Sequence, residues 1–145
     1  MNPLTDADIH HVYERWHQSV EAQDLDGLMP LYARDAMLET PLAFAVQKSR
    51  TEGILNGSDA IRAFFDARFR ASGNGLGRWY RTDIFFSNGR QLTWEYPRAT
   101  PQGDQVDLVE FMDIADGRIV HHRVYWGWMG FKSLATMQAS PGSVS

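Results

Sequence analysis

The stretch Gln105 to Trp128, QVDLVEFMDIADGRIVHHRVYWGW, constrains this chain more than any other. Asp116-Gly117 divides it into two runs of strand composition. An Asp-Gly pair between such runs is the strongest short-range hairpin signal, because both central residues of the tight turn take positive φ. With that pair as the whole loop, strand alternation assigns the faces. Asp107, Val109, Phe111 and Asp113 share one face with Val120, His122, Val124 and Trp126. Leu108, Glu110, Met112, Ile114, Ile119, His121, Arg123 and Tyr125 occupy the other, with Glu110 directly across from Arg123. Neither face is purely polar, so each is expected to be covered. An acid and a histidine on a covered face point to a lined cavity.

The rest of the composition narrows the classes. A chain of 145 residues fits one domain over positions 1–145, with an ordered core at about 5–134 and a flexible C-terminal tail. The net charge of −4 and the lack of a basic run argue against a nucleic-acid surface. With no cysteine, disulfides, zinc-thiolate sites and thiol nucleophiles are excluded. The start MNPLTDADIHH has no signal-peptide pattern and no apolar run is long enough to span a membrane, so a cytoplasmic protein without membrane attachment is expected. Five Trp, eight Phe and five Tyr fit either an aromatic core or an apolar ligand pocket with aromatic walls.

Along the chain, Thr5 to Glu21 predicts a helix, capped by Thr5 and carrying the stripe Ile9, Val12, Tyr13, Trp16 and Val20. Gln23 to Ala33 predicts a second, with Asp24 or Asp26 as its cap. Ala36 to Thr40 reads as a strand stopped by Pro41, followed to Gly57 by a loop with at most a weak strand. Ser58 opens a third helix whose inward face is Ile61, Phe64, Phe65, Arg68 and Phe69, and Ser72 to Gly77 ends it as a flexible joint. Trp79 to Phe86 and Gln91 to Ala99 predict strands around Asn88-Gly89, and Pro101 to Asp104 a turn. After Trp128 the pattern fades. The class is α+β: three helices of the N-terminal half packed on a curved antiparallel sheet that encloses a cone-shaped pocket.

Three segments carry a resemblance: DLDGLMPLYARDAMLETP from Asp24 to Pro41, GSDAIRAFF from Gly57 to Phe65, and FMDIADGRIVHHRVYWG from Phe111 to Gly127. In this order and spacing the chain resembles the nuclear transport factor two-like superfamily, in its ketosteroid-isomerase-like and SnoaL-like (polyketide cyclase) branch. The resemblance implies the cone-shaped, cystatin-like fold and pairing of two copies through the outer sheet face. It also implies a cofactor-free isomerase, cyclase, dehydratase or hydrolase, or a pure binding domain. Carried over residue by residue, the isomerase's tyrosine donor falls on Trp16, its base aspartate on Thr40, and its protonated aspartate on Val109. None of the three supplies the chemistry an isomerase needs, so a standard ketosteroid isomerase is not expected.

His122 is the strongest remaining candidate for acid or base, with Trp16 and Tyr13 as donors; the competing view is a core histidine satisfied by a neighbour. Asp107 is the candidate acid on its face, with a solvated rim position as the alternative. Asp83, across from Trp94, and Glu39, beside Thr40, are further acids whose facing the sequence leaves open. Tyr13, Trp16, Thr40, Phe65, Trp94, Val109, Phe111, Val124 and Trp126 are expected to line a ligand pocket. His10, Glu14 and His17 have helical metal-ligand spacing but fit a solvated helix face better, so no metal or other cofactor is implied. The apolar second hairpin face, with Leu108, Met112, Ile114, Ile119 and Tyr125, predicts a homodimer. The functional expectation is an enzyme acting on an apolar, polycyclic or carbonyl-bearing small molecule; the alternatives are a binding domain with the same pocket, or a protein-interaction domain.

Overall fold

The computed structural model describes residues 5–71, 84–96 and 106–139. Helix α1 spans Asp6–Glu21 and opens with a reciprocal capping box. The Thr5 hydroxyl accepts from the Asp8 amide, and the Asp8 carboxylate accepts from the Thr5 amide. Its stripe of Ile9, Val12, Tyr13, Trp16 and Val20 is buried as the spacing predicts, and His17 and Ser19 are buried with it. Asp24 caps the short helix α2, Leu25–Leu28, which passes into a 3-10 turn at Met29–Leu31. Pro30 lies inside that turn, and no longer helix follows.

Strand β1, Tyr32–Glu39, therefore begins four residues earlier than Ala36, where the strand was expected. The segment up to Gly57, expected as loop, holds a short helix α3, Leu42–Val46, and strand β2, Ile54–Asn56. Helix α4 covers Ser58–Ala71. Strands β3, Phe86–Ser87, and β4, Gln91–Tyr96, flank a turn at Asn88-Gly89, in which Asn88 Oδ1 accepts from the amides of Arg90 and Gln91. Strands β5, Leu108–Ala115, and β6, Arg118–Trp126, form the central hairpin, and helix α5, Trp128–Ala139, follows where the sequence pattern faded. The expected joint at Ser72–Gly77, the turn at Pro101–Asp104 and the candidate Asp83 lie outside the described residues.

The six strands form one sheet in the order β2-β1-β6-β5-β4-β3. All pairs are antiparallel except β1 with β6, which sets Leu38 beside His122 and Met37 beside His121. The fold is α+β, a curved and unclosed sheet with helices laid on it. Among the described residues, no helix is long and apolar enough to cross a membrane.

The hairpin turn is as predicted: Asp116 and Gly117 have φ of 53° and 73°. The register beyond it differs. Ala115 pairs with Arg118 and Ile114 with Ile119, but Asp113 then pairs with His121, leaving Val120 without a partner on β5. This one-residue bulge reverses the parity of everything beyond it. His122, Val124 and Trp126 consequently share a face with Met112, Glu110 and Leu108, not with Phe111, Val109 and Asp107. Glu110 lies opposite Val124, and the expected Glu110–Arg123 pair is absent. Arg123 instead makes a bidentate contact with Asp113, both bonds at 2.9 Å, with its guanidinium 4.9 Å from the Phe111 ring centre.

The apolar face assigned to a dimer contact is turned inward instead. Met112, Ile114 and Ile119 are buried in the core beneath the helices, along with Leu92, Trp94 and Tyr96 of β4. Val109, Phe111, Asp113, His121, Arg123 and Tyr125 make up the outer face. Met112→Glu should therefore lower unfolding free energy by more than about 3 kcal/mol, since it places an unpaired charge in the core. Val109→Glu, on the face away from the core, should cost less than half as much. Equal losses for the two variants in urea titrations would contradict this register.

Candidate functional site

Four elements bring one polar residue each to the inner side of the sheet. Trp16 comes from the buried stripe of α1, Tyr32 from the start of β1, His122 from β6 just past the bulge, and Glu110 from β5. The indole Nε1–H of Trp16 donates to the Tyr32 hydroxyl at 3.1 Å. That hydroxyl lies 2.9 Å from His122 Nδ1, and His122 Nε2 is hydrogen-bonded to Glu110 Oε2. His122 is 1% exposed and Glu110 6%.

Donor counting assigns the protons. Indole can only donate, so the Tyr32 oxygen accepts from Trp16 and its own proton needs an acceptor. Burial pushes the Tyr32 phenol well above its ordinary range, so that proton stays on oxygen. His122 Nδ1 is the acceptor within reach, which leaves the imidazole proton on Nε2, donated to the Glu110 carboxylate. Every polar atom along this path then has a partner. Glu110 Oε1 is the exception: it has no hydrogen-bond partner among the described residues.

A second buried histidine lies nearby. His17 Nδ1 donates to the Tyr13 carbonyl at 2.9 Å, and Nε2 lies 2.8 Å from the Tyr96 hydroxyl, so Nε2 accepts. Burial pushes the His17 pKa down, against the pull of the Tyr13 carbonyl and the Glu110 charge. The ring is held neutral, consistent with that donor assignment.

Trp16, Glu110 and His122 border a cavity of about 110 Å³, lined also by Thr40, Phe65 and Trp126 together with apolar neighbours. One water needs roughly 10–15 Å³, so the space admits several waters or a small organic molecule. Apart from Thr40, Arg68, Tyr96, Glu110 and His122, the lining is apolar and aromatic.

Of the residues expected to line a pocket, Trp16, Thr40, Phe65, Val124 and Trp126 do so, and His122 with them. The Trp16 N–H is engaged by Tyr32, so it is not an open donor toward a ligand. Tyr13 and Trp94 are fully buried in the core, packed edge to face at 5.1 Å, and do not reach the cavity lining. Val109 and Phe111 alternate with the buried Glu110 and Met112 on β5 and point to the outer face. Asp107 is not on the cavity wall: its Oδ1 accepts from the amides of Met129 and Gly130, capping the start of α5. Glu39 lies on the outer face, bonded to His121 at 2.6 Å. His10 pairs with Glu14 in solvent while His17 turns inward, so the three do not converge on one point.

Glu110, Tyr32 and the His17–Tyr96 pair are the members that sequence reasoning missed. Glu110 is adjacent to the position matched to the isomerase's oxyanion-hole acid, Val109; alternation with the buried Met112 and Ile114 turns Glu110 rather than Val109 inward, and the bulge on β6 brings His122 to the same side. The signal for it was the run Leu108, Met112, Ile114, more apolar than the alternate residues. That face belongs inside, and Glu110 travels with it.

The SnoaL-like domain family matches residues 13–122, from α1 through the histidine of the site. The chain belongs to the SnoaL-like domain family. Its fold is shared with a SnoaL-like protein of unknown function from Burkholderia thailandensis (17% identity, 88% of this chain and 100% of that one, TM-score 0.65). It is also shared with a putative polyketide cyclase from Sinorhizobium meliloti (18%, 79% and 94%, TM-score 0.58). A third neighbour is the epoxide hydrolase/cyclase-like enzyme SalBIII (16%, 86% and 95%, TM-score 0.56), described as acting in pyran ring formation in the polyether salinomycin. At these identities the likeness is one of fold. No curated protein matches the chain by sequence.

The lowered pKa of the buried His17 predicts that stability depends on pH. The folded-state pKa of His17 lies below the ordinary 6.5. As pH falls through 6.5, the unfolded chain therefore takes up a proton that the folded chain does not, and stability drops until the lowered value is reached. Urea unfolding free energy should fall between pH 8 and pH 5, and His17→Phe should flatten that slope. An unchanged slope in the variant would show that His17 does not titrate this way.

Proposed function

We propose that this SnoaL-like domain catalyses proton transfer on a small, largely apolar molecule without a cofactor, with Glu110 as the base and His122 as its positioning partner. The observation that carries this is the Glu110 carboxylate on the cavity wall, held through Oε2 by His122, with Oε1 unpartnered among the described residues. A carboxylate oxygen on the cavity wall lies within reach of a molecule bound there and can accept its proton. Oε1 takes a proton from carbon or from an attacking water. The His122 Nε2–H steadies the carboxylate, and Tyr32 and Trp16 fix the imidazole behind it. The base then returns the proton to another atom of the same molecule, the common step of isomerisation, cyclisation, dehydration and epoxide opening.

Neighbours described as a putative polyketide cyclase and an epoxide hydrolase/cyclase-like enzyme support this class of chemistry. A homodimer belongs to the same proposal, its face now the outer one with Phe111 and Tyr125. A binding domain with the same cavity is the rival, and the open carboxylate oxygen favours catalysis over it, since an apolar ligand needs no buried acid.

The test uses 5-nitrobenzisoxazole, a small neutral aromatic whose ring opens when a base removes its C–H proton and the N–O bond breaks, releasing a coloured phenolate. The protein should accelerate this above buffer. Glu110→Gln should reduce the rate by about 10²–10⁴-fold, the usual worth of a positioned base. His122→Gln should reduce it less, because Gln can still donate to Oε2. A rate that survives in Glu110→Gln would sink the assignment.

A further inference from the structure

One charged group on the cavity wall is unused by the chemistry above. Arg68, in the last turn of α4, lines the same cavity as Glu110 and His122. It is half-buried, and it makes no ion pair among the described residues. The other two arginines of α4 are engaged, Arg62 with Asp26 and Arg70 with Asp66. Among the described residues Arg68 has only the face of the neighbouring Phe69 ring, 6.0 Å from its guanidinium carbon.

Two bland roles do not account for it. A cation at a helix C-terminus complements the macrodipole, but Arg70 stands in the same turn and does this from solvent while paired with Asp66. Neutralising Glu110 is the other, yet Glu110 is served by His122 and forms no ion pair with Arg68. A guanidinium beside apolar walls carries a desolvation cost that an anion at the same place would offset. Its planar donors match a carboxylate bidentately.

We infer that the substrate of this site is an anion, a small apolar molecule bearing a carboxylate or a similar oxyanion, anchored by Arg68. The inference rests on the reading of the cavity as a small-molecule site and adds its ligand class and orientation. The anionic group binds at Arg68 and is repelled by Glu110, so the uncharged part of the molecule is the part presented to Oε1. Arg68 is then a specificity-determining and positioning residue.

The probe pair is 3-phenylpropanoate and its neutral amide, 3-phenylpropanamide, which share one skeleton and differ in charge. Calorimetric titration of the full chain should give at least about tenfold tighter binding of the acid, equivalent to about 1.4 kcal/mol. In Arg68→Gln this preference should fall to within about twofold, through loss of acid affinity. Arg68→Lys, which keeps the charge and loses the fork, should be intermediate, and it serves if the Gln variant fails to fold. Equal binding of acid and amide by the parent, or a preference that survives in Arg68→Gln, overturns the inference while leaving the base assignment of Glu110 standing. Binding of neither probe overturns the small-molecule reading of the cavity, and this inference with it.

Discussion

A buried carboxylate is the group that the rest of this structure has to accommodate. Glu110 lies in an apolar wall, where an ionised side chain without partners costs several kcal/mol. His122 meets it from the adjacent strand, but a neutral imidazole that donates from Nε2 must find a donor for Nδ1. Tyr32 supplies that donor, and Trp16 then satisfies the phenol oxygen. Strands β5, β6 and β1 and helix α1 are thus joined by a single directed chain of donors. Removing a middle member orphans the atoms on both sides, at roughly 1–3 kcal/mol for each unsatisfied group. Site and fold are coupled for this reason: the same bonds that order the carboxylate pin the first helix to the centre of the sheet.

Consecutive histidines on β6 show how strongly surroundings decide what an acid–imidazole pair does. His121 and His122 point to opposite sides of the sheet, as strand alternation requires. Each has a glutamate: Glu39 outside and Glu110 inside. The outer pair is part of a half-exposed array in which Arg123 donates to His121 Nδ1 and grips Asp113, and that grip holds the Asp113 carboxyl below its ordinary range. Water and neighbouring charges screen such a pair, and its contribution is small. The inner pair has no such screening, and it alone borders the cavity beneath the helices.

Features set by local chemistry were legible in the sequence. Thr5 and Asp24 as caps, Asp116-Gly117 as a tight turn and the α1 stripe depend on neighbours within a few residues, and each was found in place. The bulge at Val120 was not legible. IVHHRV alternates acceptably in either register, and no glycine marks the extra residue. One unpaired residue then put His122 on the side of Glu110, away from Val109 and Phe111. Tyr32 was hidden for a second reason: it fell within a predicted helix that Pro30 and the 3-10 turn end early. Its bond to His122 spans 90 positions, a distance at which no local pattern carries information.

The charges on the cavity wall give it a direction that its shape alone lacks. An apolar hole binds an apolar molecule in many orientations of similar energy, because the hydrophobic effect is not directional. Arg68 and Glu110 line one cavity without touching, so a bound molecule experiences opposite charges at separate points. At an effective dielectric of about 20, a unit anion about 4 Å from a cation gains about 4 kcal/mol, and one equally near a carboxylate loses as much. Discounted severalfold for the half-exposure of Arg68, the difference between two ends of a molecule still exceeds thermal energy. Orientation of this kind brings a reacting atom to Oε1 before any bond changes, and holding reactants in place is among the largest contributions a site without a cofactor can make.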